Sequence, residues 1–284
     1  MGLCRSEEVN AMKILIGHDG SSHADAAIDD LRRAGLPDDV EALVVTVGEE
    51  PNVSVPAGYE ISERARLGER ATLIVEHVNR QVAEVLQETL EVALNASSRL
   101  RAHFPSWQVQ TEALTGNPAE ELIRRAREWN ADLIVVGSHG RSALGRLILG
   151  SVSMEVAVGA HCSVRIGRRN RELPELRLLI ALDKSAEAQE ALRLTLQRVW
   201  PAQTELRVVG IGNDVGPSFH VLNAGALKIS AGAVKGSLER VLVDQAREWQ
   251  ADCIVVGSPI DYQVRELAAN TECSLEIIRL PVEF

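Results

Sequence analysis

Short runs of aliphatic, mostly β-branched residues alternate along the chain with longer segments of helical periodicity. In the first part of the chain, the short runs predict strands at about 13–17, 42–47, 108–114, 133–136 and 163–166. The segments between them predict helices at about 22–34, 118–129 and 151–159, and a long helix that ends near His103. Residues 51 to about 67 have weak periodicity and are expected to form a long loop. Alternating strands and helices predict a parallel sheet covered on both faces, with right-handed crossovers.

The same pattern of residues occurs twice. The segment AREWNADLIVVGS at 126–138 recurs as AREWQADCIVVGS at 246–258. Three shorter segments, 14–19, 41–48 and 161–164, pair with 178–183, 205–212 and 272–275. Similarity on this scale indicates a tandem duplication. We expect one domain at 12–168 and a second at 174–284, which we call the first half and the second half.

The second half is the shorter copy. Between positions 212 and 227 there is room for a loop but not for the long helix of the first half. Alignment of Cys273 with Cys162 leaves the second half nine residues short between its fourth strand and the helix that begins near Tyr262. We expect a degenerate domain in which Asp183 serves as a helix cap or turn acceptor.

Composition and net charge exclude several classes of function for this chain. The chain has 284 residues, of which 45% are hydrophobic and 25% charged, as in ordinary globular proteins. Aromatic residues are only 3%, so the core must be aliphatic. The net charge of −10 argues against nucleic acid or an anionic membrane as a partner, and the basic run at 165–171 is interpreted as an interdomain linker. No apolar stretch approaches the roughly 20 residues of a membrane helix.

The four cysteines have neither CxxC nor metal-ligand spacing. A reducing compartment, and hence a cytoplasmic location, is expected. The sequence MGLCRS at 1–6 matches a loose lipidation pattern, but Met12 stands directly before the first predicted strand. We interpret residues 1–11 as an unstructured leader.

A glycine-rich loop follows the fourth predicted strand. Its skeleton is Gly, two residues, Gly, nine residues, Gly-Ser, from Gly137 to Ser151. Gly137 is expected to let a ligand approach the backbone, and Gly140 to adopt positive φ and turn N–H groups inward. Gly150 and Ser151 begin the next helix, where free N–H donors and the helix dipole favour a phosphate, and Ser151 is expected to cap that helix or donate to the phosphate. Arg141 and Arg146 would add positive charge.

An aspartate stands on the opposite side of the predicted site. Asp19 ends the first strand, and in an open sheet of reversed winding strands one and four are neighbours at the point where ligands bind. A carboxylate facing a phosphate-binding loop indicates a nucleoside polyphosphate site. The alternative is that Asp19 only caps the following helix. His139, inside the loop, is interpreted as a hydrogen-bond donor rather than a base.

Three motifs together resemble the universal stress protein family: Asp19-Gly20-Ser21, 116–118 (GNP) before a helix, and the Gly-x2-Gly-x9-Gly-Ser loop, which marks its ATP-binding branch. The resemblance implies an α/β fold of two tandem, open-sheet, parallel five-stranded Rossmann-like domains of the adenine nucleotide alpha hydrolase-like type, the second degenerate. It also implies nucleotide contacts from Gly17, His18, Asp19, Val47, Val136, Gly137, His139, Gly140, Gly150, Ser151 and Val152. His18 departs from the apolar or small residue usual before this aspartate.

The resemblance implies ATP as the ligand, with Mg²⁺ or Mn²⁺ carried by the triphosphate, since no all-protein metal site is visible. It also implies that domains pair through their last strands. The two halves would then form an internal pseudo-dimer through the apolar residues around 164–166 and 275–278. A homodimer and a protein partner of unknown kind are further expectations.

No dedicated catalytic motif is present, neither a P-loop, a Rossmann glycine triplet, a nucleophile elbow nor His-Glu-x2-His. No catalytic residue is therefore assigned. The favoured function is an ATP-binding stress-response protein with little or no turnover. The alternatives are a nucleotide-free dimerisation scaffold and a slow ATP-hydrolysing enzyme of the same superfamily.

Overall fold

A computed structural model describes residues 11–50, 67–140, 149–168, 175–211, 220–224, 227–234, 236–257 and 262–280. The sequence-based expectations for residues 1–10, for 51–66 and for the middle of the glycine-rich loop at 141–148 therefore lie outside the described residues.

The first half alternates strands and helices. Its elements are β1 Met12–Gly17, α1 Ser22–Asp30, β2 Val40–Gly48, α2 Leu67–His103, β3 Gln108–Thr115, α3 Pro118–Trp129, β4 Leu133–Gly137, α4 Ser151–Gly159 and β5 Ser163–Gly167. The helix expected at 22–34 is shorter, because after Asp30 the chain tightens into a 3₁₀ turn at Leu31–Arg33. The helix at Pro118–Trp129 matches the prediction and ends at Asn130, whose left-handed φ of 55° closes it.

The five strands of the first half are parallel and lie in the order β3-β2-β1-β4-β5. The central strands β1 and β4 are covered by helices on both faces, which explains why they read as continuous aliphatic runs. The order reverses between β1 and β4, so their carboxyl ends lie side by side.

The second half repeats this plan with one change. Its elements are β6 Leu176–Leu182, α5 Ala186–Gln197, β7 Thr204–Ile211, β8 His220–Ala224, β9 Leu227–Val234, α6 Leu238–Trp249, β10 Cys253–Gly257, α7 Tyr262–Asn270 and β11 Ser274–Ile278. The expectation that 212–227 is only a loop was wrong for β8, which pairs antiparallel with β9 at the sheet edge. A chain too short for a crossover helix can still form a hairpin strand.

All strands described join one eleven-stranded sheet in the order β3-β2-β1-β4-β5-β11-β10-β6-β7-β9-β8. The two halves meet at β5 and β11, which pair antiparallel with Arg165 opposite Glu276. The α/β fold with an open, Rossmann-like sheet is confirmed.

The hydrophobic core is continuous across both halves on one face of the sheet and divided into two clusters on the other face. On one face, buried residues of α3, α4, α6 and α7 form a single cluster that continues across both halves. On the other face, a first cluster lies beneath α1 and α2 and another beneath α5. Among the helices described, none is both long enough and apolar enough to cross a membrane.

Candidate functional site

The turn after β1 is held by its own side chains. Ser21 is the N-cap of α1, and its hydroxyl accepts the Ala24 N–H at 3.2 Å. Asp19 Oδ1 accepts the Ser21 N–H at 3.0 Å, and Gly20 between them has φ +82°. Asp19 is therefore the acceptor of the turn rather than the helix cap.

His18 supports the same turn from the buried side. Its Nδ1 accepts the Gly20 N–H at 3.1 Å, so the ring proton belongs on Nε2, which lies 3.1 Å from Asp25 Oδ1. Burial lowers the pKa of His18 below its usual value, against the opposing effect of Asp25. The neutral ring is thus the form that this turn requires.

The loop after β4 is fixed to the start of α4. The Gly150 N–H donates to the Ser138 carbonyl at 2.9 Å, and Ser153 Oγ donates to the Gly137 carbonyl at 2.5 Å. Gly150 is the N-cap of α4 and supplies no side-chain cap. The first N–H groups of this helix, beginning at Ser151, are those that an α-helix leaves without an intrahelical acceptor.

The structure bears on three expectations for this loop. Gly140 does not adopt positive φ. Gly137 makes room for α1, since a methyl group there would lie 2.8 Å from the carbonyl carbon of His23. Ser151 does not cap α4, because the cap position belongs to Gly150, and the expectation that remains for Ser151 is donation to a phosphate. The expected charge of Arg141 lies outside the described residues.

The turn after β1 and the loop after β4 meet face to face. A methyl group added at Gly140 would lie 3.1 Å from Asp19 Oδ2. Ser21 Oγ lies 3.5 Å from the His139 carbonyl oxygen, and the rings of His23 and His139 are 4.9 Å apart. The carboxylate and the loop backbone therefore lie on the same side of the sheet.

A cavity of about 860 Å³ opens at this edge of the sheet, a size typical of small-molecule sites. Every predicted site residue within the described part of the chain lines it: Gly17, His18, Asp19, Val47, Val136, Gly137, His139, Gly140, Gly150, Ser151 and Val152. The structure thus brings together residues from the carboxyl ends of β1, β2 and β4 and from the start of α4.

One wall of the cavity was not predicted. Helix α2 contributes Val85, Glu88, Thr89 and Val92. It passes so close to the end of β2 that a methyl group at Gly48 would lie 2.5 Å from Thr89 Oγ1. Gly48 was the one sequence feature that could have indicated this close packing.

The second half keeps the turn at the equivalent place. Asp183 Oδ1 accepts the Ser185 N–H at 2.8 Å and the Ser185 hydroxyl, so Asp183 is a turn acceptor, as expected. Gly257 again allows a helix to approach, because a methyl group there would lie 2.1 Å from the Glu187 carbonyl. Residues 258–261, which follow β10, lie outside the described residues.

The fold is that of an open-sheet α/β protein with a cavity at the carboxyl ends of its strands. The model of the universal stress protein family matches residues 10–168, more than half of the chain. The chain belongs to the universal stress protein family.

Curated relatives share this family name. A universal stress protein of Bacillus subtilis is 31% identical over 157 residues, which cover 55% of this chain and 98% of the relative. One from Methanocaldococcus jannaschii is 28% identical over 170 residues, which cover 60% of this chain and 89% of the relative. A longer one from Mycobacterium tuberculosis is 26% identical over 252 residues, covering 86% of this chain and 76% of the relative.

Solved structures share the fold over nearly the whole chain. A universal stress protein from Archaeoglobus fulgidus superposes with a TM-score of 0.62 at 17% identity, covering 95% of this chain and 96% of that one. A putative universal stress protein from Pseudomonas aeruginosa gives 0.55 at 12% identity, covering 95% and 94%. At these identities the likeness is one of fold.

Proposed function

We propose that the cavity of the first half binds an adenine nucleotide, with ATP as the preferred ligand. The observation that carries this proposal is the position of Asp19 Oδ2, which lies beside the backbone of Gly140 at the edge of the cavity. A carboxylate accepts hydrogen bonds from ribose hydroxyl groups, whereas backbone N–H groups and a helix start bind phosphate. The two chemistries needed for a nucleotide stand side by side in the lining of one cavity.

The lining residues fit the three parts of such a ligand. Val47, Val136 and Leu122 offer aliphatic surface for a base. The start of α4 has no side-chain cap, so its first N–H groups and the positive end of its dipole remain suited to a polyphosphate. We expect Mg²⁺ or Mn²⁺ to arrive with the triphosphate, and among the residues described no cluster of three His, Cys, Asp or Glu side chains could hold a metal ion.

The proposed role is binding rather than turnover. Asp19 Oδ1 and His18 Nδ1 are used by the turn after β1, and no residue is assigned as a nucleophile or base. Nucleotide occupancy would then act as a stress-response signal read by a protein partner. Hydrolysis well below about 1 s⁻¹, the low end of ordinary enzymes, is the expected rate.

We also propose that the chain is a tandem duplication with domains at 12–168 and 174–284, joined as an internal pseudo-dimer. In support, equivalent aspartates make the same two backbone contacts in each half. The Asp132 carboxylate accepts the Lys13 N–H and the Asp132 N–H donates to the Lys13 carbonyl, and Asp252 makes both bonds with the backbone of Arg177. The described cysteines (Cys162, Cys253 and Cys273) are free thiols, which supports the expected cytoplasmic location.

The test compares two aspartates in the same local turn. Isothermal titration of the full chain with ATP and excess Mg²⁺ is expected to show a loss of affinity of roughly 10- to 100-fold for Asp19→Asn, because hydrogen bonds to a charged group are the strong ones. Asp183→Asn removes the equivalent charge in the second half and is expected to leave the affinity unchanged. Equal affinities for wild type and Asp19→Asn would exclude the assigned site.

A further inference from the structure

The centre of the joint between the halves is a buried ion pair. In the antiparallel ladder of β5 and β11, Arg165 stands opposite Glu276, with Val164 opposite Ile277 and Ile166 opposite Leu275. Arg165 is 1% exposed and Glu276 is fully buried, and Arg165 Nη1 donates to Glu276 Oε2 at 2.5 Å. Charges at this depth cannot exchange a protein partner for water.

The charges around this centre alternate in sign. Asp30 of the first half accepts from Arg165 Nε at 2.6 Å, and Arg198 of the second half donates to both oxygens of Glu276. The order across the joint is therefore Asp30, Arg165, Glu276, Arg198, or minus, plus, minus, plus. Each half supplies one cation and one anion, and the contact between the halves joins unlike charges.

Arg165 and Glu276 occupy the same position in the two halves. Arg165 pairs in register with Val135 of β4, and Glu276 pairs with Val255 of β10. Val135 and Val255 are themselves matched residues of the repeated segments 126–138 and 246–258. A local two-fold axis thus passes between Arg165 and Glu276.

The contacts that flank this axis obey the two-fold symmetry. Arg168 Nη2 donates to the Ala268 carbonyl in α7 at 2.9 Å, and Arg279 Nη2 donates to the Ala157 carbonyl in α4 at 2.5 Å. Their backbone N–H groups likewise donate to hydroxyl groups of the opposite half: the Arg168 N–H to Ser274 and the Arg279 N–H to Ser163. These flanking contacts would form equally well if the first half of one chain met the first half of another.

We propose that the unlike pair Arg165 and Glu276 specifies pairing of a first half with a second half and excludes pairing of two like halves at this edge. In a β5–β5 pair Arg165 would face Arg165 of the other chain, and the order of charges would become minus, plus, plus, minus. In a β11–β11 pair two buried glutamates would meet. Like charges at the centre of a dry interface act as a device against the wrong partner.

The test uses two full-length charge reversals that are complementary. In the Arg165→Glu chain and in the Glu276→Arg chain, every pairing of β5 or β11 available to one kind of chain puts like charges at the centre. In a mixture, chains of the two kinds can pair by exchanging halves, and one joint of the exchanged dimer has the native charge order. Each variant is refolded from denaturant alone and with the other, and native mass spectrometry counts the assemblies.

We expect the mixed dimer to exceed either homodimer by about tenfold or more, where random mixing would give only a twofold excess. We also expect co-refolding to recover more soluble protein than either variant alone. A random distribution, or no gain on co-refolding, would overturn the proposal. This result does not depend on nucleotide binding.

A single-site series separates like-charge repulsion from simple loss of the ion pair. Glu276→Gln keeps the shape without the charge, so its midpoint of urea unfolding should lie between those of wild type and Glu276→Arg. Lys228→Glu is the matched control, because Lys228 faces Glu205 across β7 and β9 on the exposed surface and its reversal should change the midpoint little. Equal midpoints for Glu276→Gln and Glu276→Arg would contradict the proposed role of charge.

Discussion

Asp19 Oδ2 and the backbone of Gly140 lie side by side in the lining of the cavity, so closely that a methyl group on Gly140 would lie 3.1 Å from that oxygen. The two residues lie 121 positions apart in the chain, yet each directly follows the carboxyl end of one of two neighbouring strands. The proposed nucleotide site depends on this juxtaposition.

Gly140→Ala is expected to weaken ATP binding by about tenfold or more, because the added methyl group displaces the Asp19 carboxylate. Among the described atoms, Asp19 Oδ2 alone lies within 4 Å of that methyl position, so the thermal midpoint should change little. Titration calorimetry and thermal unfolding measure the two effects. Gly137→Ala provides the contrast, since its methyl group would strike the His23 backbone and should lower the thermal midpoint instead. A normal affinity for Gly140→Ala would contradict the assigned geometry.

His18 should make the first half sensitive to mild acid. Its Nδ1 accepts the Gly20 N–H, and a protonated ring cannot accept that bond. The pKa of His18 is lowered by burial, with Asp25 and Asp19 opposing this effect and Arg99 adding to it. The unfolded chain therefore takes up the proton first, so this part of the stability is complete above pH 6.5 and is lost as the pH falls through the folded pKa.

Urea unfolding of wild type and His18→Asn across pH 7.5 to 5 measures this effect. The free energy of unfolding of wild type should fall relative to the variant by up to about 1.4 kcal/mol per pH unit below pH 6.5. Parallel curves for the two proteins would show that His18 is not the titrating group.

Glu276 should contribute to stability in strong acid. Burial opposes its charged form, but Arg198 and Arg165 hold the pKa of Glu276 at about 2, below the usual 4.5. Its contribution is therefore complete above pH 4.5 and is lost as the pH falls towards 2. Between pH 4.5 and 3, wild type should lose about 1.4 kcal/mol per pH unit relative to Glu276→Gln, as measured by urea unfolding. An identical pH dependence in both proteins would contradict the charged, buried state of this carboxylate.

Arg279 links the second half to the helix that begins at the site. It donates to the carbonyl groups of Ala157 in the last turn of α4 and of Cys162 directly before β5. Arg279→Met leaves these buried carbonyls without a donor, so we expect a loss of about 2 kcal/mol in the free energy of unfolding. ATP affinity should also fall, by roughly threefold to tenfold, because α4 starts at the cavity.

Arg168→Met is the matched control for this prediction. Arg168 makes the equivalent bond to Ala268 in α7, which does not line the cavity. Arg168→Met should lose less stability, because Arg168 donates to one carbonyl group and Arg279 to two, and Arg279→Met alone should lose ATP affinity. An equal loss of affinity in both would mean that α4 carries no specific link to the site.

The sequence predicted the residues that lie at strand ends. Asp19 and the loop at Gly137 could be placed together because parallel strands of known order bring their carboxyl ends to one edge. Wall residues such as Glu88 and Thr89 could not be placed, since the phase and tilt with which α2 crosses β2 depend on tertiary packing. The packing contact that favours glycine at position 137 could not be predicted either, because the close approach of His23 exists only once α1 has packed on β4.

The repeat predicted which strands correspond in the two halves, but it did not reveal the charges at their joint. Arg165 lies in a run of basic residues that reads as a solvated linker, and Glu276 interrupts an apolar strand. Only the register of β5 against β11 shows that these two side chains neutralise each other out of contact with water.

Native mass spectrometry of the full chain with ATP and Mg²⁺ counts the nucleotides bound per chain and so tests the proposed site in the first half. We expect one nucleotide per chain at saturation, since in the sequence only the first half keeps the complete loop, and no bound nucleotide in Asp19→Asn at the same ATP concentration. Two nucleotides per chain, none, or one that persists in Asp19→Asn would contradict it.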